Sequence, residues 1–501
     1  MSLLFVLMTT QGCATLRPRA ECSAHGGDTW HEARSEHFRV WTDLDEDDAR
    51  DVAVALERTR AMVGLWWGEG SEFNPPGTMD VVVLRRQGAL LEFAEPGVAG
   101  YVNTSYAYIR PFAVMADGDR QRVPQVIRHE LVHYLSRFVL LNQPRWFAEG
   151  LAMYLEVSED RLDDTVQMGL DHPDALNSVR LRGVLPLEKL WAWDVAAPPE
   201  HERAHHYASA WAWVHYLLNW QAERFADFQR RLARGEPSKD AWEVAFSGVS
   251  VPELERALAN VVRGDAEYTI VTRKLPAVST DVAVRVMGDA DVHLTRAWLH
   301  LFPGGGALTP EQRREAARLD IVETLRREPG HVGAAVLGAS MESDIATKLA
   351  RARELVAAHP NSAEAWGLLG DALEGDASAA AERGDARRNA VRLAPEEPSL
   401  RVALAREYSA NGRHGNALAQ AVKAAQLAPW SEAVQATLAV ATAARGRCDD
   451  ALVAGERAVD LLHESVSDHQ RSAYRAWLSS QISAHCASRP DVPAQVSPGT
   501  P

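Results

Sequence analysis

The sequence predicts a mixed α+β unit followed by an all-α stack of repeated helix pairs. Three observations carry that expectation. Residues 36–156 interleave short β-type runs with stretches of helical periodicity. From about residue 326 the chain is Ala-rich, and its landmarks recur every 34 residues: Leu393-Ala394-Pro395, Leu427-Ala428-Pro429, then Leu461. A length of 501 residues exceeds what one ordinary hydrophobic core organises, so more than one domain is expected.

Residues 1–30 read as a leader and a Gly/Ala/Arg-rich linker, and 31–265 as the first domain. Glu36 to Thr42 alternates polar and apolar residues, the pattern of a half-buried strand. Asp45 to Trp67 is helical, with Glu46, Asp47 and Asp48 suited to the positive end of the helix dipole. Met79 to Leu84 reads as a buried strand, and 100–103 and 106–112 as two more. A helix with Pro124 in its first turn, where a missing N–H does no harm, runs through Phe138. Another runs from Pro144 to about Glu156. Residues 165–200, with Pro173, Pro186, Pro198 and Pro199, read as loop. Helices resume at about 203–220, 222–233 and 238–262. Residues 266–325 form a mixed connector, 326–488 the repeats, and 489–501 a Pro/Ser tail.

Composition excludes several classes. With 46% hydrophobic and 24% charged residues the chain is neither wholly disordered nor a polytopic membrane protein. Lys+Arg is 53 against Asp+Glu 68, and a net charge of −15 is a poor match for nucleic acid or an anionic membrane. Four cysteines exclude a disulfide scaffold. Cys448 and Cys486 can pair if their helices are neighbours; two unpaired buried thiols are the equal alternative. The apolar start Met1 to Met8, followed by Gly12-Cys13, resembles the end of a bacterial lipoprotein signal peptide. That resemblance implies export to the cell envelope or periplasm, with lipid on Cys13 as the only membrane attachment; the cytoplasm is the alternative.

The repeated part carries Trp366-x-x-Leu369-Gly370-x-x-Leu373. One unit on, Leu404-Ala405-x-x-Tyr408 is followed by Ala417, Ala424 and Pro429. Leu438, Ala439, Ala451 and Ala458 continue the series, and a weaker unit begins near Pro329. A 34-residue period with this pattern resembles the tetratricopeptide repeat. The resemblance implies a superhelical domain that offers a surface to a protein partner; a generic Ala-rich bundle is the alternative.

The chemistry lies in His129-Glu130-Leu131-Val132-His133. On a helix, residues four apart share one face, so the two imidazoles can meet at one metal ion. Glu130 is placed to reach a water rather than the metal. With 18 histidines in the chain, chance supplies this motif in about one such sequence in twenty. Context raises it: the motif lies on an expected helix that follows several strands, and a carboxylate, Glu149, follows in Trp146-Phe-Ala-Glu149-Gly150-Leu-Ala.

Together these motifs resemble the gluzincin, thermolysin-like zinc metallopeptidases over roughly residues 30–265. The resemblance implies an α+β zincin-like domain in which His129, His133 and Glu149 bind Zn2+ and Glu130 is the general base. It also implies an oxyanion donor, for which Tyr207 and His206 are candidates, and an edge strand that receives a peptide or protein substrate, for which Gly100 and Tyr101 are candidates. The chain departs from the family where an Asp four residues after the ligand Glu orients the first His: Met153 stands there, and Glu156 is the substitute candidate. His201, His205 and His206 read as a solvated helix start rather than a second metal cluster. The competing expectation is a catalytically inactive peptidase-fold scaffold whose repeats bind protein partners.

Overall fold

A computed structural model describes residues 21–67, 78–95, 99–103, 112–116, 123–161, 163–193, 198–264, 268–305, 308–462, 466 and 468–486. Cys13, nearly all of the strand expected at 106–112, and the C-terminal tail lie outside the described residues.

The first unit begins with β1 (His31–Arg34), β2 (Phe38–Thr42) and α1 (Glu46–Trp66). Asp45 caps α1 by accepting from the Asp48 amide. There follow β3 (Met79–Leu84), α2 (Gln87–Leu90), β4 (Gly100–Asn103), β5 (Phe112–Ala116), α3 (Val123–Ser136) and α4 (Arg145–Glu156). The unit continues with β6 (Glu159–Asp160), β7 (Thr165–Met168), α5 (Pro173–Arg182), α6 (Leu187–Ala192) and α7 (Glu200–Trp220). It closes with α8 (Ala222–Ala233), α9 (Ser238–Ala245), α10 (Val251–Arg263), β8 (Val271–Lys274) and β9 (Ala283–Val286).

The main sheet has six strands in the order β4-β5-β3-β2-β1-β9. β2, β3 and β5 run parallel; β4 is antiparallel to β5 and forms one edge. Strand alternation divides the core. Val40, Val81, Val83 and Met115 pack with α1, α3 and α4, whereas Val82, Leu84, Val114 and Tyr101 face the opposite side with α2 and the helix after β9. α1, α3 and α4 therefore lie on one face of the sheet.

The structure corrects three sequence expectations. Residues 165–200 hold β7, α5 and α6 rather than loop: Pro173 is in the first turn of α5 and Pro186 caps α6, so both prolines begin helices. The helix expected over 238–262 is two helices, broken around Gly248, whose φ is +76°. The first unit also extends past 265. β8 pairs with β7 and β9 with β1, so the supposed connector completes both sheets.

α11 (Asp289–Leu301) and α12 (Pro310–Arg327) form a hairpin that leads into the second unit. That unit stacks α13 (Val332–Ser340), α14 (Ile345–Ala358), α15 (Ala363–Ala372), α16 (Ala380–Leu393), α17 (Pro398–Ala410) and α18 (His414–Leu427). It ends with α19 (Glu432–Ala443), α20 (Cys448–Asp460) and α21 (Asp468–Cys486). The helical repeat is visible in burial: Ala405 and Ala439, Ala417 and Ala451, Ala424 and Ala458 are all fully buried and each pair is 34 residues apart. Only a methyl group fits where the helices approach so closely. A disulfide joins Cys448 to Cys486 and ties α21 onto α20.

The two units dock. Trp430, at the turn after α18, lies edge-on to Phe138 with ring centroids 4.2 Å apart and also approaches Tyr134 at 6.4 Å. The Arg457 guanidinium donates to the Arg234 carbonyl at 2.8 Å. Elsewhere the units stand apart around a cavity of about 1390 Å³, lined by Arg39, Trp41 and Asp80 on one side and Pro360, Glu364 and Pro395 on the other.

Acid sensitivity is expected from α7. His215 is buried among Tyr154, Trp211 and Tyr268, and its Nε2 has no hydrogen-bond partner. Burial pushes its pKa down to about 4. An unfolded histidine titrates near 6.5, so below that pH the unfolded chain takes up a proton that the folded one refuses. Stability should fall from pH 6.5 to 4, by about 2 kcal/mol at pH 5. Urea unfolding of His215→Phe at pH 7 and pH 5 should show a smaller loss than wild type; an equal loss would exclude His215 as its source.

Candidate metal and hydrolytic site

α3 and α4 lie side by side, and α4 packs closely on α7. A side chain at Gly150 would meet the Ala210 carbonyl at 2.5 Å, so only glycine permits this approach. The same packing brings Glu149 of α4 and Tyr207 of α7 to the histidines of α3.

His129 Nε2 and His133 Nε2 are 3.1 Å apart. Glu149 Oε2 lies 3.4 Å from the first and 3.1 Å from the second. Ligands held about 2.0–2.1 Å from a tetrahedral centre are about 3.3 Å from one another, so the three atoms fit three corners of a zinc tetrahedron. Their chemistry fits too. Glu156 Oε2 is 2.6 Å from His129 Nδ1 and accepts its proton, which leaves the Nε2 lone pair facing the centre. Glu149 Oε2 is buried and has no hydrogen-bond donor in good geometry. A cation satisfies all three atoms at once.

Without metal, His129 holds a proton between Glu149 and Glu156, and a cation bound at the centre takes the place of the Nε2 proton. Burial works against charge on Glu149, but His133 and His129 hold its carboxyl well below the usual carboxylate range. Burial likewise opposes charge on His129, yet Glu149 and Glu156 hold its pKa well above the ordinary value. Glu156 is kept low, against its burial, by hydrogen bonds from His129 and His172. Glu130 differs: burial raises its carboxyl above the normal range. It is 8% exposed and lies beside the edge strand.

The edge strand is β4. A Cβ on Gly100 would stand 2.9 Å from Glu130 Cγ and 3.0 Å from the Val114 carbonyl. Gly100→Ala should therefore displace β4 or Glu130, and a lower melting temperature than wild type is expected; an unchanged one would show that this approach does not matter. Tyr101 is placed otherwise than a substrate contact requires. Strand alternation turns its side chain to the opposite face, where the hydroxyl donates to the Phe302 carbonyl at 3.4 Å. Only its backbone belongs to the edge.

Of the oxyanion candidates, Tyr207 is at the triad. Its hydroxyl donates to Glu149 Oε1 at 3.5 Å, and burial together with the Glu149 charge raises its pKa, so it remains a neutral donor. His206 is one residue away on another helix face: its Nδ1 lies 3.1 Å from the Glu202 carbonyl and its ring packs on Trp193. His205 Nε2 lies 2.7 Å from the Gly183 carbonyl. Both histidines are buried rather than solvated, because α7 is enclosed by neighbouring elements along this stretch.

Two site residues escape sequence reasoning. His172 places Nε2 2.8 Å from Glu156 Oε1 while its Nδ1 accepts from the Ala175 amide at the start of α5. It belongs to a segment that reads as loop. Arg145 Nε is 3.7 Å from Glu149 Oε1, and its guanidinium stacks 5.1 Å over Trp193. One-turn spacing from Glu149 is its only signal in the sequence.

Residues 125–239 are similar to a family described as a protein of unknown function, DUF1570. That stretch contains the triad, Glu130, Glu156, His172 and Tyr207, but not β4. No curated protein matches the chain. Among solved structures, a thermophilic TPR protein in Thermus thermophilus is 17% identical, with a TM-score of 0.29 over 38% of this chain and 98% of its own. MamA is 19% identical, with a TM-score of 0.26 over 30% of this chain and 90% of its own. A further MamA protein structure is 16% identical, with a TM-score of 0.27 over 34% of this chain and 91% of its own.

Proposed function

We propose that the chain is a zinc-dependent metallopeptidase of the gluzincin type, with the helical-repeat unit serving protein interaction. The observation that carries this reading is the convergence of His129 Nε2, His133 Nε2 and Glu149 Oε2 within 3.1–3.4 Å of one another. Glu130 stands next to His129 on the same helix.

His129, His133 and Glu149 would hold zinc, which when bound would supply Lewis acidity and an activated water. The protein's residues do the rest. An extended peptide pairs with the open edge of β4 and is thereby held in one register. Glu130 takes the proton of the attacking water and delivers it to the leaving amine. Tyr207, neutral and aimed at the same place, donates to the developing oxyanion. Glu156, braced by His172, keeps the His129 ring in its ligating orientation.

Export to the envelope, with lipid on Cys13, is part of the proposal. The Cys448–Cys486 disulfide supports an oxidising compartment. The outward helices of the repeat carry exposed Ile345, Val422, Leu452 and Val453, which suit an apolar contact with a protein partner.

The test is metal and turnover together. Purified protein should carry about one equivalent more zinc than His133→Ala does, and should cleave an unfolded protein such as casein in a chelator-sensitive way. Zinc-loaded protein that hydrolyses none of a broad peptide library would leave the scaffold as the better reading.

A further inference from the structure

A second group of nitrogen and sulfur donors converges away from the triad. Cys22 precedes a single turn, Ser23–His25, and its carbonyl accepts from the His25 and Gly27 amides at 3.0 and 3.1 Å. This fold-back brings the thiol and the His25 ring together. The third donor comes from α11: His293 Nε2 is 3.4 Å from Cys22 Sγ. One ligand atom from each of the three residues lies within 4.8 Å of the others. The His25 and His293 rings meet edge to face with centroids 5.2 Å apart.

His293 is braced as a ligand is braced. Its Nδ1 lies 2.7 Å from Asp320 Oδ1 on α12 and donates to it, so Nε2 presents its lone pair to Cys22. The same Cys–His–Asp order would suit a nucleophile, but Cys22 is 0% exposed and no substrate carbonyl reaches it. A cation needs no such access. A simple S–H···N bond would account for Cys22 and His293; the proposal rests on the three donor residues meeting together.

We propose that Cys22, His25 and His293 bind a thiophilic metal cation of the zinc or copper(I) class, which fastens the segment before β1 to the α11–α12 hairpin. One thiolate and two imidazoles favour such ions over magnesium or calcium, which prefer oxygen. Glu323 Oε1, 3.8 Å from His25 Nε2, already accepts from Arg326 and Arg327 and is not counted as a ligand. Arg327 also approaches His25 Nε2, at 3.2 Å, but its charge is already met by Asp289 at 2.6 Å and Glu323 at 2.7 Å. The site is structural: it joins the start of the first unit to the hairpin that leads into the repeats.

The test uses the full chain carrying His129→Ala and His133→Ala, which removes the triad's histidines and keeps this question apart from peptidase activity. The protein is loaded with zinc, or anaerobically with copper(I), desalted, and its metal measured. About one equivalent of either metal should remain, and it should fall to near zero when Cys22→Ser is added. His25→Ala, a change at a half-exposed residue checked by circular dichroism, should weaken binding tenfold or more. Cobalt substitution should give a thiolate charge-transfer absorption that vanishes with Cys22→Ser; the triad has no sulfur ligand and cannot produce it. Retention of neither metal, or metal indifferent to Cys22→Ser in a variant with wild-type circular dichroism, would overturn the proposal.

Discussion

Glu130→Gln is expected to keep its zinc and lose peptide hydrolysis, with kcat/KM falling by about 10²–10⁴-fold. The substitution preserves volume, which matters because the Glu130 side chain packs directly against Gly100 of β4. It leaves His129, His133 and Glu149 untouched, so metal content should equal wild type. Only the ability to carry a proton is removed. The measurement is paired: metal by mass spectrometry and turnover of a peptide library. Activity within tenfold of wild type would exclude Glu130 as the base, whereas parallel loss of metal and activity would mean that Glu130 supports ligation.

Trp430→Ala should destabilise the protein by about 3–5 kcal/mol, the usual cost of removing a buried aromatic side chain. Trp430 is 8% exposed and packs on Phe138 just beyond α3, the helix that carries both histidines. Its loss opens a gap where Val402, Ala424, Ala428 and Val434 of the repeats meet Phe138 of the first unit. The sharper readout is therefore the shape of the unfolding transition. Wild type should unfold with the two units coupled, and the variant in two separated steps. A cost below about 1 kcal/mol with unchanged cooperativity would mean that the contact does not couple the units.

What is legible in the sequence follows physical locality. The two histidines are readable because helical geometry converts a spacing of four into a shared face. Glu149 is readable because a helix, a turn and an antiparallel helix fill the interval after His133. Glu156 is within reach as the acid one turn beyond. His172 is hidden: nothing local marks a histidine that caps one helix while bracing a carboxylate on another. Tyr101 falls on the wrong face because alternation fixes opposite faces for neighbours, but register alone decides which face is which. Pro173 and Pro186 suggest loop, although proline is equally at home where a helix begins. β8 and β9 offer little signal, since most of their residues are exposed and neither carries a clean apolar alternation.

The pairing of β9 with β1 has a consequence for how the chain is made. During synthesis, β1 emerges roughly 250 residues before the strand that covers its open edge, so the sheet cannot be completed while most of the first unit is being translated. Until then β1 presents unpaired amides and carbonyls to any neighbouring chain. The sheet is complete only once residue 286 has been made. For the same reason, an expression fragment cut at the apparent boundary near 265 would retain every residue of the triad and yet be prone to edge-to-edge association. A cut placed after α12 would retain the closing strand, along with the hairpin that packs behind the sheet.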